Sequence, residues 1–287
     1  MSMAQLDGKV ALVTGAARGQ GRAHALTLAR HGADLVVVDL EPGVMSTISY
    51  DMPGEEELLD TAKQIEELGR RAVVVRADVR VQSQLDDAVA CAVAEFGGLD
   101  ILIANAGVLS HVPFWKLTDE QWSEVVETNL TGVWHSAKAV APHMIERGSG
   151  AIVMTASINA LEPGRNYAHY TAAKHGVIGL MKTVALELAP HGVRCNAVCP
   201  GVVDTAMVNG QDSYDMFAGR SGGTRENLIH AGHSYHVLKG FGPLDPQVVA
   251  DAALWLVSDG AAAVTGTAVP IEAGHLLLTG VNPKPQA

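Results

Sequence analysis

Seven short aliphatic runs recur along the chain, and nearly every position within each is apolar. They are KVALVTG ending at Gly15, DLVVVDL at Leu40, RAVVVRADV at Val79, LDILIANAG at Gly107, GAIVMTAS at Ser157, VRCNAVCPG at Gly201 and GTAVPIEAG at Gly274. A strand with one wet face alternates apolar and polar residues. A run rich in Val and Ile throughout buries both faces, as the strands of a parallel sheet do beneath helices on either side. The segments between the runs carry helical spacing, for example over 22–30, 55–68, 84–96, 119–147 and 167–188. Strand and helix alternate without a linker, repeat or low-complexity tract. The pattern predicts one α/β domain over 1–287, built on a doubly wound sheet of seven parallel strands with right-handed crossovers.

Two stretches break this rhythm. Residues 40–54 separate the second strand from the next helix, where such turns usually take about 2–6 residues. Residues 204–245 are rich in Gly, His and Ser and show little periodicity. Long irregular segments inside a compact domain are usually functional.

Bulk properties exclude several classes of partner. The chain has 287 residues, 48% of them hydrophobic, and a formal charge of −11 with both signs mixed along it. Nucleic acids and anionic membranes need a basic face, so neither is expected as a partner. No apolar run reaches the roughly 20 residues of a membrane helix, and MSMAQLDGK at the start has no apolar signal-peptide core. The cysteines, Cys91, Cys195 and Cys199, are odd in number and lack paired spacing, which fits a reducing cytoplasm better than a disulfide framework.

The first strand leads into TGAARGQG, with Gly15, Gly19 and Gly21 at the turn into a helix. Glycines there let the backbone approach a pyrophosphate, whose charge sits at the helix N-terminus. Arg18 and Gln20 lie in the same turn. Such a turn between strand and helix makes the sheet Rossmann-like and the cofactor a dinucleotide. Asp39 closes the second strand, where a carboxylate accepts adenosine ribose hydroxyls and repels a 2′-phosphate. Arg18 could instead meet a 2′-phosphate, but Leu40, not a second basic residue, follows Asp39. NAD is therefore expected over NADP. Asp78 and Val79 end the third strand, where an adenine could rest.

YTAAK places Tyr170 and Lys174 four residues apart, on one face of a helix. Ser157 ends the preceding strand. A free tyrosine, with a pKa of about 10, is a poor base at neutral pH. A neighbouring ammonium stabilises its phenolate and lowers that value. Ser157 could then hold an alcohol oxygen in place.

Taken in order, TGxxxGxG at Thr14–Gly21, Asp78, NAG at Asn105–Gly107, Asn129, Ser157, Tyr170-x-x-x-Lys174 and Pro200-Gly201 resemble the short-chain dehydrogenase/reductase family over nearly the whole chain. The resemblance implies Tyr170 as catalytic base and acid. It implies Lys174 as a second ribose contact, Ser157 as the group that positions the substrate oxygen, and Asn129 as holder of a water in a proton relay. It places Asn105, Ala106 and Gly107 beside the cofactor, and Pro200, Gly201, Val203 and Thr205 near the nicotinamide carboxamide. It also implies a homotetramer, paired through the long helices.

The long loop after Asp39 and the late segment from His236 to Gly274 resemble the mycofactocin-coupled, carveol dehydrogenase-like branch. That likeness implies firmly held NAD, reoxidised by a peptide-derived redox carrier. The loop itself, with Met45, Ile48, Tyr50, Met52, Pro42 and Pro53, reads as a lid over the adenosine end; a plain surface insertion or subunit contact is the alternative. The family places its substrate lid at 204–245. Met207, Met216 and Phe217 would face Leu109, His111 and Trp115 across a mostly apolar pocket for a hydrophobic secondary alcohol or ketone. Carveol-like terpenoids come first by resemblance, with steroids and other cyclic alcohols as alternatives. An ordinary dehydrogenase with exchangeable NAD and a non-catalytic nucleotide sensor are the competing functions. His230, His233 and His236 drift around a helix, so a pocket wall is preferred and no metal is expected.

Overall fold

The computed structural model describes residues 5–278. The ends of the expected 1–287 domain, residues 1–4 and 279–287, lie outside that range. Seven strands form one parallel sheet: β1 (Val10–Thr14), β2 (Asp34–Asp39), β3 (Ala72–Arg76), β4 (Ile101–Ala104), β5 (Gly150–Thr155), β6 (Val193–Pro200) and β7 (Ala268–Ile271). Their spatial order is β3-β2-β1-β4-β5-β6-β7. Val13 registers with Val37 on one side and Ile103 on the other. The order reverses between β1 and β4, and the crevice beyond the carboxyl ends of such strands is where open α/β sheets bind ligands.

The helices are α1 (Gly19–Arg30), α2 (Glu55–Glu67), α3 (Gln82–Phe96), α4 (Asp119–Val126), α5 (Gly132–Arg147), α6 (Ala168–Leu188), α7 (Gln211–Ala218), α8 (Arg225–Tyr235) and α9 (Pro246–Val257). Successive strand residues point to opposite faces. Leu35 and Val37 therefore join one core with Leu28, Ile65 and Val249 from α1, α2 and α9. Val36 and Val38 join the other with Ala88, Met144 and Met181 from α3, α5 and α6. Both faces are covered, which is why the runs are apolar throughout. No helix among the described residues is long and apolar enough to cross a membrane.

Three local expectations need correction. The third strand does not reach Val79. It stops at Arg76 because the Asp78 carboxylate turns to accept from Arg80, at 2.7 Å from Nη2. Asp78 and Val79 thus lie in the turn beyond it. The single helix expected over 119–147 contains a π-helical turn, Glu127–Thr131, between α4 and α5. The irregular stretch at 204–245 holds α7 and α8. Thr224 caps α8 by accepting from the Asn227 N–H, and Arg225 clasps Asp204 at 2.7 Å. Their helical period is weak in the sequence because few of their side chains enter a core; in α7 only Ser213 is buried.

His24 of α1 is 1% exposed, and its Nε2 has no partner among the described residues. Burial lowers its pKa from 6.5 to about 4. The unfolded chain therefore binds a proton between those values that the folded chain refuses. This contribution to stability is intact above about pH 6.5 and is lost as the pH falls toward 4, at about 1 kcal/mol per pH unit. Urea unfolding from pH 7 to pH 4 should show this decline, and His24→Gln should flatten it by up to one proton.

Candidate active site

The first two turns at the switch point are stitched together. Thr14 Oγ1 accepts the backbone N–H groups of Asn105 and Ala106 at 3.0 and 3.1 Å, and Asn105 Nδ2 donates to the Thr14 carbonyl at 3.0 Å. The approach leaves no room for side chains. A Cβ on Gly15, whose φ is +68°, would lie 2.9 Å from Ala106 Cα; one on Gly21 would lie 1.8 Å from the Gly15 oxygen. Gln20 Oε1 is buried without a hydrogen-bond partner among the described residues. At the end of β2 the Asp39 carboxylate accepts from the N–H groups of Ala17 and Leu40, both at 2.8 Å. Burial raises its pKa; these two N–H groups and the charges of Arg76 and Arg18 oppose the rise without cancelling it.

A second cluster lies beyond β5. Ser157 stands at the strand end with its hydroxyl accepting from the Asn159 N–H at 3.1 Å. Tyr170 is in the first turn of α6 and Lys174 one turn later. Lys174 is buried, donates to the Thr155 carbonyl at 2.6 Å, and holds Nζ 5.6 Å from the centre of the Tyr170 ring. Burial pushes the Tyr170 phenol up to about 12, while its hydrogen bond with Ser157 pulls the other way. Burial brings the Lys174 ammonium down to about 8. Cys199, on β6, lies close enough for its thiol, raised by burial to about 11, to interact with Lys174.

Asn129 is fully buried in the π-helical turn. Its Oδ1 accepts from the Val108 N–H and its Nδ2 donates to the Val108 carbonyl, both at 2.8 Å. The side chain thus splices the α4–α5 junction to the segment after β4.

One cavity of about 980 Å³ joins these clusters. Gly15, Arg18, Gly19, Gln20, Gly21, Asp39, Leu40, Asp78 and Val79 line one end. Asn105, Ala106, Gly107, Ser157, Tyr170, Lys174, Pro200, Gly201, Val203 and Thr205 line its middle and far wall. Leu109, Met207, Met216 and Phe217 line it too. Asn129 lies behind the wall. Trp115 is not part of it: in a 3-10 turn, Phe114–Lys116, it is 72% exposed. Nor is His111, which sits behind Tyr167 with Nε2 3.0 Å from the Tyr167 hydroxyl. Both positions followed from nearness to the NAG turn, but the chain swings outward after Ser110. The three histidines separate as well. His230 lines the cavity, His233 packs on Gly242 and His236 backs Gly201. No group of three His, Cys, Asp or Glu among the described residues could hold a metal ion.

Glu162, Tyr167 and Tyr235 line the cavity but escaped the sequence reasoning, whereas the expected lid residues Met45, Tyr50, Met52 and Pro53 do line it. Tyr167 donates from its hydroxyl to Met216 Sδ at 3.0 Å, tying the lid helix to the foot of α6. Its one sequence signal is its place one helical turn before Tyr170. Tyr50, from the 40–54 insertion, accepts the Leu109 N–H at 3.3 Å, and Met45, Met52 and Pro53 also line the cavity. The insertion hangs on Glu124 of α4, which is 7% exposed. Its carboxylate accepts from the Ser46 N–H at 2.8 Å, the Thr47 N–H at 2.9 Å and the Thr47 hydroxyl. Burial alone would raise the Glu124 pKa, but these bonds and the Arg80 charge bring it below the ordinary value. Arg18 reaches from the glycine turn to the Asp51 carbonyl.

The family profile described as short chain dehydrogenase matches residues 9–215 of this chain. The chain belongs to the short-chain dehydrogenase family. It is 45% identical over 280 residues to a (−)-trans-carveol dehydrogenase of Rhodococcus erythropolis, covering 96% of this chain and all of that one. A carveol dehydrogenase of Mycobacterium avium, crystallised with NAD, superposes with a TM-score of 0.92 at 39% identity, over 96% of this chain and 99% of the other. A short chain dehydrogenase of Mycobacterium paratuberculosis bound to NAD gives 0.86 at 36% identity, over 96% and 100%. The glycine turn here tolerates no bulk. Gly21→Ala should abolish cofactor binding in a nucleotide fluorescence titration. The same change should lower stability by about 1–3 kcal/mol through overpacking.

Proposed function

We propose that this chain is an NAD-dependent alcohol dehydrogenase that interconverts a hydrophobic secondary alcohol and its ketone. The observation that carries the proposal is the grouping of Ser157, Tyr170 and Lys174 on the wall of a cavity that runs on to a glycine turn and a buried acid. These residues fit the dinucleotide. The glycine turn leaves backbone exposed at a helix N-terminus, Gln20 Oε1 is buried with its acceptor unused, and Asp39 keeps carboxylate lone pairs beyond the two its backbone bonds take. Asp39 and the engagement of Arg18 with Asp51 favour NAD over a 2′-phosphorylated dinucleotide.

When bound, NAD⁺ supplies the hydride acceptor and a positive charge. The protein's own groups handle the proton. Ser157 holds the alcohol oxygen, and Tyr170 Oη takes the proton from it in oxidation and returns one in reduction. Burial pushes the phenol up to about 12, so it is almost never ionised at neutral pH before a further positive charge arrives. Lys174, protonated below about pH 8 and one helical turn away, lowers the cost of the phenolate. Its bond to the Thr155 carbonyl fixes the ammonium in place. Tyr170→Phe should keep cofactor binding and lose alcohol oxidation by roughly 10²–10⁴-fold; activity equal to wild type would remove Tyr170 from the chemistry. In Lys174→Met the rising limb of the oxidation pH profile should move upward, because the ammonium that stabilises the phenolate is gone.

The pocket walls Leu109, Met207, Met216 and Phe217 suit a terpenoid or similar cyclic alcohol, and the carveol dehydrogenase relatives point the same way. In this reading the 40–54 insertion is a strap over the cofactor, the 204–245 segment is the substrate lid, and NAD is held between turnovers. An external redox carrier such as mycofactocin then reoxidises it. A cytoplasmic homotetramer suits the family and the exposed Trp122, Trp134 and Leu186 on α4, α5 and α6. Glu124→Ala should speed NAD dissociation at least tenfold, since three hydrogen bonds to one carboxylate are lost. Stopped-flow displacement measures it, and an unchanged rate would show that the insertion does not retain the nucleotide.

A further inference from the structure

The substrate end of the cavity has a polar corner that the tetrad does not use. Glu162, in the loop after β5, lines it together with Tyr235 from the end of α8 and His275 from the 3-10 turn His275–Leu277. Glu162 Oε1 receives the Tyr235 hydroxyl at 3.2 Å and His275 Nε2 at 2.7 Å. The imidazole stacks on the Tyr235 ring with centroids 3.5 Å apart, and its Nδ1 lies 2.9 Å from the Tyr235 carbonyl. Both ring nitrogens therefore face oxygen acceptors. Glu162, Tyr235 and His275 thus form one hydrogen-bonded unit that fixes the carboxylate.

The unit leaves one acceptor unused. Glu162 Oε2 makes no hydrogen bond among the described residues and is not sealed from the cavity. Ser234 and His230, one turn apart on α8, line the same side, whereas Met207, Met216 and Phe217 form an apolar side. Tyr167 neighbours both the corner and Tyr170: its ring centroid is 6.1 Å from that of Tyr170, and it lies close enough to Tyr235 to interact with it. A ligand that reaches from Tyr170 to the corner crosses apolar surface and then meets a fixed acceptor. A neutral hydroxyl satisfies that acceptor. A ligand carboxylate, itself only an acceptor, would be repelled by it.

We propose that Glu162 is a second polar anchor of the substrate site, and that the preferred substrate is a largely apolar cyclic alcohol bearing a second, remote hydroxyl. This rests on the dehydrogenase reading and narrows its substrate class. His275 and Tyr235 act as positioning residues, because their hydrogen bonds fix the carboxylate.

The test uses trans-carveol and its diol analogue, in which the isopropenyl group becomes 2-hydroxypropan-2-yl. Calorimetric Kd values on the NAD-saturated protein and kcat/KM for both compounds are measured in the wild type, Glu162→Gln and Glu162→Leu. The wild type should bind the diol about tenfold or more tightly than carveol, as for a hydrogen bond to a charged group. That preference should shrink in Glu162→Gln and vanish in Glu162→Leu. Equal affinities in the wild type overturn the proposal without recourse to either variant. So does a Glu162→Leu protein that weakens both ligands by the same factor, since the network would then only tie α8 to the His275–Leu277 turn. Tight diol binding with no turnover of either compound would support the anchor and count against the dehydrogenase reading.

Discussion

The bonds between Thr14 and the Asn105–Ala106 turn hold the switch point of the sheet together, and most of the site is built outward from them. One hydroxyl collects two backbone N–H groups from a strand that is remote in sequence but adjacent in space. This brings the Gly15 backbone against Ala106 so closely that side chains are excluded. The same junction directs the segment after β4 toward Asn129, whose amide receives it through Val108. The glycine turn, the NAG turn and the α4–α5 junction are thus one mechanical piece. Without it, Ser157 and Tyr170 would face a cleft of no fixed width.

Electrostatics at the site follow from burial more than from pairing. Tyr170, Lys174 and Cys199 are all shifted toward their neutral forms by loss of water. The phenol is reluctant to ionise and the ammonium is near its point of deprotonation. Such a pair is poised for a further charge to decide its state. Glu124 shows the opposite balance: it too is buried, but three donors hold it ionised. The carboxylate and the phenol therefore end in different protonation states because of what points at them.

Much of the fold was legible because its periodicity is unambiguous. Runs apolar on both faces have few homes other than a covered parallel sheet, and the seven strands fall where the runs do. The motif residues were equally legible as a group, since Gly15, Asp39, Ser157, Tyr170 and Lys174 do line one cavity. The errors have physical causes. Asp78 carries β propensity at its flanks but turns aside for Arg80. α7 and α8 face a cavity, so their apolar stripe is thin and their period blurred. Trp115 was placed by sequence proximity, which says nothing of where a loop swings. Glu162, Tyr167 and Tyr235 were missed because each acts through partners distant in sequence.

The insertion at 40–54 is held by Arg18, by the bond from Leu109 to Tyr50 and, through three hydrogen bonds, by the Glu124 carboxylate on α4. That side chain is separate from every group proposed to move a proton. In the proposed strap reading, how long the nucleotide stays and how fast the bond-making step runs are set by different residues. Residence time could then drift by exchange at one codon while the chemistry stayed as it was, so the chain is built to let the two traits evolve apart.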